Sequence, residues 1–182
     1  MTDYSDKELM NLYRDGGNPN YAFNLIVQKY KERLYWHIRK IVILHDDADD
    51  VMQNTFIKVW KGLSDFREES QLYTWLYRIA TNEALTHLKQ KRTKFFIPMI
   101  DIEKTLSEAI DTDSWFSGDD LQKKLQKAIL TLPEKQRIVF NLKYFEEMKY
   151  DEMAEVLGTS VGALKASYHI AVKKIEKYIG EN

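Results

Sequence analysis

Three groups of residues have the types and spacing to do chemistry. The longest is Phe66-Arg67-Glu68-Glu69-Ser70-Gln71-Leu72-Tyr73-Thr74-Trp75-Leu76-Tyr77-Arg78-Ile79-Ala80-Thr81-Asn82. It interleaves rings with cations and an amide, and a basic run, Lys89-Gln90-Lys91-Arg92-Thr93-Lys94, follows it. Unpaired bases stack on aromatic faces while Lys and Arg hold the phosphates, so this composition suits single-stranded nucleic acid. The second group is His45-Asp46-Asp47-Ala48-Asp49-Asp50-Val51-Met52-Gln53-Asn54. Acidic residues at a helix start are explained in part by the helix dipole. Four of them with Gln53 and Asn54 nearby point further, to an Arg-rich partner surface. The third is Tyr150-Asp151-Glu152-Met153-Ala154-Glu155-Val156-Leu157-Gly158-Thr159-Ser160-Val161-Gly162-Ala163-Leu164-Lys165, a helix-turn-helix pattern.

Each group also has a plain structural explanation. Trp75, Ile79 and Tyr77 could simply be core, and Trp75 lies on the apolar stripe of its helix. Phe66 and Asn82 escape that explanation, one by lying in a loop and the other on the polar side. In the third group, any two packed helices could share a glycine turn. Here several positions agree at once. Ala154 is small where helices cross, and Gly158 sits where a left-handed backbone ends the first helix. Ser160 can cap the second helix. Met153, Leu157, Val161 and Leu164 supply a shared core. The second helix would enter the major groove by its N-terminal end.

Other chemistries find little support. There is no Cys, so there is no thiolate nucleophile and no Cys-containing zinc site. The four His residues, 37, 45, 87 and 169, match no metal-ligand spacing, and no glycine-rich phosphate loop is present. No metal, cofactor or small-molecule substrate is expected, and an enzyme is disfavoured.

These groups must be carried by helices. Ser5-Asp6-Lys7-Glu8 is a capping box that opens a short helix, ended by Gly16-Gly17-Asn18-Pro19. A long helix from Tyr21 to Leu44 follows, with Phe23, Ile26, Val27, Tyr30, Leu34, Ile38 and Ile41 in steps of three and four. The next begins at Asp46-Asp47, with Val51, Phe56, Val59 and Trp60 as its stripe. After a loop from Gly62 to Ser70, a fourth carries Leu72, Trp75, Leu76, Ile79, Ala80 and Leu88. The period breaks over residues 95–118 and resumes at Leu121. Thr131-Leu132-Pro133-Glu134 reads as a second capping box with Pro in the first turn. No strand alternation of useful length occurs. The expected fold is all-α: two helical domains, 1–94 and 119–182, each with its own core, joined by a flexible linker, 95–118, with room for a short helix.

Charge agrees with this division. Residues 1–94 carry 15 basic and 13 acidic groups, 95–118 carry 1 and 5, and 119–182 carry 11 and 10. A net charge of −1 weighs against a chain that binds DNA unaided, because phosphate contacts dominate non-specific affinity. No apolar run approaches the ~20 residues that span a bilayer. The acidic, polar start is unlike a signal peptide. Together with the absence of Cys, this suits a cytoplasmic protein.

Several runs taken together resemble the extracytoplasmic-function sigma factors of bacterial RNA polymerase. They are Asp47-Ala48-Asp49-Asp50 to Gln53 with Phe56 and Trp60; Phe66 to Ser70, then Tyr73 to Ala80 with Asn82; Leu132-Pro133-Glu134-Lys135-Gln136-Arg137; and Val161-Gly162. They occur in the family's order and cover nearly all of the chain outside the linker. The resemblance implies a transcription initiation factor that binds core RNA polymerase, melts the minus-ten promoter element and reads the minus-thirty-five element. Asp49, Asp50, Gln53, Asn54, Phe56 and Trp60 would meet the clamp helices of the β′ subunit. Phe66, Arg67, Ser70, Tyr73 and Asn82 would hold a flipped non-template base, with Lys89, Lys91 and Arg92 on nearby phosphates. Ser160, Lys165, Ser167, Tyr168 and His169 would face duplex DNA. The linker would run toward the RNA exit path, and the β subunit and an anti-sigma factor are further partners of such a protein.

The chain departs from the family twice. Asn54 stands where Glu is usual, and Ser167, Ile170 and Val172 stand where the last helix usually carries Arg. The family's usual promoter sequence therefore does not transfer. A rival reading is a regulator that binds duplex DNA through the helix-turn-helix alone, with the N-terminal block sensing or dimerising. Binding to DNA without polymerase would distinguish the two.

Overall fold

The computed structural model of the chain describes residues 4–95, 107, 108, 110 and 120–181. Among these the regular elements are helical. They are α1 (Asp6–Asp15), α2 (Pro19–Val42), α3 (His45–Gly62), a 3₁₀ turn (Leu63–Asp65), α4 (Leu72–Phe95), α5 (Asp120–Leu130), α6 (Glu134–Tyr144), α7 (Tyr150–Leu157) and α8 (Val161–Glu181).

Local chemistry sets most of the boundaries. Ser5 and Glu8 form the expected reciprocal cap at the start of α1. Asn18 Oδ1 accepts from the Tyr21 N–H at 3.0 Å, and Pro19 opens α2 in a position that needs no donor. Helix α2 ends at Ile43, whose φ of 67° is costly for a β-branched residue. That residue's side chain is buried against Ile110 and Leu130, which helps to hold the strained backbone. The sharp corner sends α3 back along α2, with Asp46 and Asp47 in its first turn. Gly62 lets α3 pass close under Trp75, whose ring would lie 3.2 Å from any added Cβ.

Thr131 does not cap α6. Its hydroxyl donates to the Ala128 carbonyl at 2.7 Å, so it closes α5, and Pro133 occupies the cap position without a side-chain bond. The helix-turn-helix forms as expected. Gly158 adopts φ 61°, and Ser160 Oγ accepts from the Ala163 N–H at 3.3 Å. Met153 and Leu164 are fully buried, Leu157 and Val161 are half-buried, and Val156 joins the buried set.

The main core packs α2, α3 and α4 through Ile26, Leu34, Ile38, Val51, Val59, Leu76, Tyr77 and Ala80. It does not stop at the N-terminal block. Ile138, Val139, Leu142, Met148, Met153, Val156 and Leu164 belong to the same apolar cluster. A second cluster, with Ala128, Ile129, Leu132, Phe140, Ala171 and Ile175, belongs to the C-terminal helices alone. The main cluster thus crosses from one block to the other, beside the C-terminal block's own cluster: α6 packs on α2 and α7 on α4. The physical reason is that α7 is short and amphipathic, and its buried face needs more than α8 to cover it. Most of the linker lies outside the described residues; within it, residues 107, 108 and 110 are helical.

Candidate nucleic-acid interface

The acidic start of α3 leads into an aromatic surface. Asp49, Asp50, Gln53 and Asn54 are exposed within about one helical turn of one another. Asp49 lies 3.5 Å from His45. Asp47 instead faces inward, where Lys91 Nζ at 2.6 Å and His87 Nε2 at 3.1 Å meet its carboxylate. Further along, Phe56 is half-buried edge-on to Phe23. Trp60, expected on the apolar stripe, is 40% exposed and packs on Phe23 with 5.0 Å between ring centroids. Ile57, 46% exposed, continues this surface. Its spacing from Gln53 and Trp60 could have marked it in the sequence.

The loop before α4 forms an open cleft of about 430 Å³, lined by Asp65, Phe66, Arg67, Glu69, Ser70, Trp75, Arg78 and Glu155. Phe66 differs from expectation. It is 6% exposed, with its ring 5.0 Å from that of Trp75. Arg14 of α1 holds the loop inward by donating to the Phe66 carbonyl at 2.7 Å and pairing with Glu68. A large ring in a short tethered loop is more stable against Trp75 than in water. Phe66 therefore forms the floor of the cleft, while Arg67 is exposed and Ser70 half-buried at its side. Asn82 is exposed on α4, and Lys89 is exposed further along.

Two predicted phosphate ligands have other partners. Lys91 is held by Asp47, and Arg92 pairs with Glu134 of α6. Tyr73, half-buried, has its phenol pushed up to about 12, first by burial and then by a hydrogen bond to Glu152 of α7. With Glu155 lining the cleft, carboxylates of the C-terminal block thus border the aromatic surface.

A polar knot beneath this surface joins the blocks. The Glu146 side chain is 8% exposed, and its Oε1 lies 3.2 Å from the ammonium of the equally enclosed Lys40. Tyr77 donates its hydroxyl proton to Glu146 Oε2 at 2.5 Å. Burial, helped by this carboxylate, pushes the Tyr77 phenol above the ordinary tyrosine range. Lys40 also lies 4.7 Å from the centre of the Phe145 ring. Nearby, the wholly buried His37 is pushed down to about 4 by desolvation. Its Nε2 is 2.8 Å from Thr81 Oγ1, whose proton goes to the Tyr77 carbonyl, so the ring nitrogen is assigned as the donor. Sequence reasoning missed this knot, because Glu146-Glu147 reads locally as a solvated turn.

On α8, Lys165 and His169 are exposed, Ser167 is half-buried, and Lys165 Nζ lies 5.7 Å over the Tyr150 ring. Ser160 is exposed, with its hydroxyl engaged as the cap. Tyr168 departs from the expected reading surface. It stacks on Phe140, with 5.8 Å between centroids and 19° between planes, because its helical position coincides with that of Leu164 and Ala171.

The family model for Sigma-70 region 2 matches residues 26–94, and that for Sigma-70 region 4 matches residues 122–175. The RNA polymerase sigma-H factor of Pseudomonas aeruginosa is 30% identical over 97% of the chain and 95% of its own length. The chain belongs to the extracytoplasmic-function sigma factors. It is a transcription initiation factor and not an enzyme, and the sigma factor SigW of Bacillus subtilis is a further relative, 29% identical over 87% of the chain and 89% of its own. Among solved structures, CnrH in complex with the cytosolic domain of CnrY matches with a TM-score of 0.71 at 25% identity, covering 97% of this chain and 98% of that one. The sigma factor RpoE of Bartonella quintana, in complex with the anti-sigma factor NepR, shares the fold, with a TM-score of 0.68 at 20% identity over 87% of this chain and 96% of that one. Among the described residues, no helix is long and apolar enough to cross a membrane.

Proposed function

We propose that this sigma factor acts in the cytoplasm, docks on core RNA polymerase through the exposed face of α3, opens the minus-ten element at the α4 surface and reads the minus-thirty-five element with α8. The organisation is residues 1–94 for polymerase and minus-ten DNA, 95–118 as tether and 119–182 for minus-thirty-five DNA. Asp49, Asp50, Gln53 and Asn54 meet cationic and polar groups of the β′ clamp helices, and Ile57 and Trp60 add apolar contact. At the cleft, Arg67, Ser70, Tyr73 and Asn82 surround the extruded base, with Phe66 as floor and Lys89 on the backbone. Lys91 and Arg92 contribute only once Asp47 and Glu134 release them. The β subunit and an anti-sigma factor complete the partners.

The observation that carries this reading is the acidic-to-aromatic stripe from Asp49 to Trp60, which the fold leaves largely exposed. An isolated cluster of acids would be a solvated helix start, but exposed Ile57 and Trp60 on the same surface call for a partner. A helix-turn-helix regulator acting alone would need neither. Co-purification with core polymerase tests the assignment. Asp50→Arg should weaken retention at least tenfold without changing the circular dichroism spectrum, since the side chain is exposed. Retention at the wild-type level would refute α3 as the anchor.

A further inference from the structure

Helix α8 presents an unusual surface for reading duplex DNA. Leu164, Tyr168, Ala171 and Ile175 face the protein. At 100° per residue, the opposite face is centred on Gly162, Ala166, His169 and Lys173. Ala163 and Ile170 lie along one edge and Lys165 along the other. Ile170 is 44% exposed, although a residue so apolar gains nothing from water there. Gly162, Ala163 and Ala166 are exposed as well. A Cβ added at Gly162 would meet nothing within 4 Å, so packing does not demand the missing side chain. No arginine stands anywhere on α8, and Lys165, Lys173, Lys174 and Lys177 supply its cations.

This combination decides what the helix can recognise. Guanine is read in the major groove chiefly by bidentate Arg or Lys, and adenine by Asn or Gln. The centre and apolar edge of this face carry none of these except Lys173, Lys174 and Lys177, all of which lie three turns or more into the helix. Apolar side chains instead contact the thymine 5-methyl group, the one apolar feature of the major groove. Small residues near the N-terminal end let the backbone approach the base edges closely. Lys165, at the rim, is placed for a phosphate.

Resting on the reading of α8 as the minus-thirty-five helix, we propose that Ile170, with Ala163 and Ala166, selects thymine methyl groups in that element. The preferred element is therefore thymine-bearing at the positions under α8, and guanine there confers no advantage through this helix.

The test uses holoenzyme assembled from core polymerase and the full chain, with duplex promoters randomised across the minus-thirty-five segment. Selected duplexes are remade with deoxyuridine for each thymine, which removes the methyl and leaves base pairing intact. Thymines should be enriched, and each informative replacement should weaken closed-complex binding about fourfold, the factor that burying one methyl-sized group corresponds to. Ile170→Ala should remove the sensitivity at one thymine. Ile170→Arg should move the selected base there toward guanine. Because the position is exposed, neither variant should disturb folding. A clear sequence preference insensitive to deoxyuridine would overturn the methyl assignment and leave duplex reading by α8 intact. So would an unchanged pattern in Ile170→Ala. No preference anywhere in the segment would overturn duplex reading itself, and the inference with it.

Discussion

The two surfaces proposed to face DNA are treated differently by the molecule's own fold. The surface around Phe66, Tyr73 and Arg78 lies against the C-terminal block, where Glu152 bonds Tyr73 and Glu155 borders the cleft. Among the described residues the outer face of α8 has no such neighbour, and Lys165, His169 and Ile170 are exposed. On the proposed assignment, duplex DNA would meet an open face on α8, whereas a melted strand at the cleft would meet the carboxylates of Glu152 and Glu155. The difference follows from which side of α7 is apolar. Met153 and Val156 face the α4 core, and so Glu152 and Glu155 are carried to the rim of the cleft.

The largest effect should come from the polar knot that holds this arrangement. Glu146→Ala leaves the Lys40 ammonium enclosed without its carboxylate and Tyr77 without its acceptor. Breaking one partner of a buried pair costs about 3 kcal/mol or more. Chemical denaturation should show that loss, together with faster proteolysis between the blocks. Replacing both members, with Lys40→Met and Glu146→Leu, should recover most of it, since an apolar pair leaves no charge behind. Equal losses in the single and double variants would mean that the pair does not hold the blocks together.

Acid should act on the same region through His37. The folded imidazole resists protonation until about 4, whereas the unfolded chain takes the proton near the ordinary value of about 6.5. The contribution is complete above the unfolded value and is lost as pH falls from there toward the folded one, about 3 kcal/mol in all. Lys40 and Glu146 bear on the ring with opposite signs, and desolvation exceeds both. Stability measured from pH 7 to pH 4.5 should fall less steeply in His37→Gln than in the native chain. Parallel curves would show that His37 does not carry the dependence.

These contacts also mark the limit of what was legible in the sequence. Helix existence was readable because apolar residues recur at helical spacing, and the Ser5 and Ser160 caps and the Gly158 turn each follow from local chemistry. The failures share a cause. Thr131 had two neighbouring helices to serve, and only the packed structure shows that it closes α5. Phe66 looked free because its loop is polar, but Arg14, distant in sequence, draws that loop onto Trp75. Trp60 and Tyr168 were displaced in opposite senses, one out of the core and one into it, by partners on other helices. Arg92 and Glu134 lie far apart in the chain, and neither residue type announces the pairing. The candidate polymerase face was readable because it is built within a single helix.

Asn82 sharpens the comparison from the melting side. Its side chain is exposed and has no part in the core, so Asn82→Ala should leave the unfolding midpoint nearly unchanged. Open-complex formation on linear duplex promoters should fall several-fold, as read by permanganate reactivity of melted thymines. On a template with a pre-melted bubble, a base-reading role keeps the defect and makes it depend on the identity of one base. A role in opening alone removes it. Normal melting on every duplex promoter would exclude Asn82 from the base pocket.

The smallest expected effect concerns the exposed surface. Lys165 stands at the rim of α8 with its ammonium near the Tyr150 ring, a position from which it can turn to a phosphate without breaking an ion pair among the described residues. Lys165→Ala should therefore weaken closed-complex binding by a similar factor on every minus-thirty-five sequence, because phosphate contacts carry no base information. It should also lower the slope of log affinity against log salt by about 0.9, the change for one released counterion. Stability should hardly move, as an exposed cation over a ring contributes about 0.5–1 kcal/mol at most. A variant whose affinity falls on some sequences and not on others would place Lys165 on a base edge. One whose slope is unchanged would place it off the DNA and leave the contact with Tyr150 as its role.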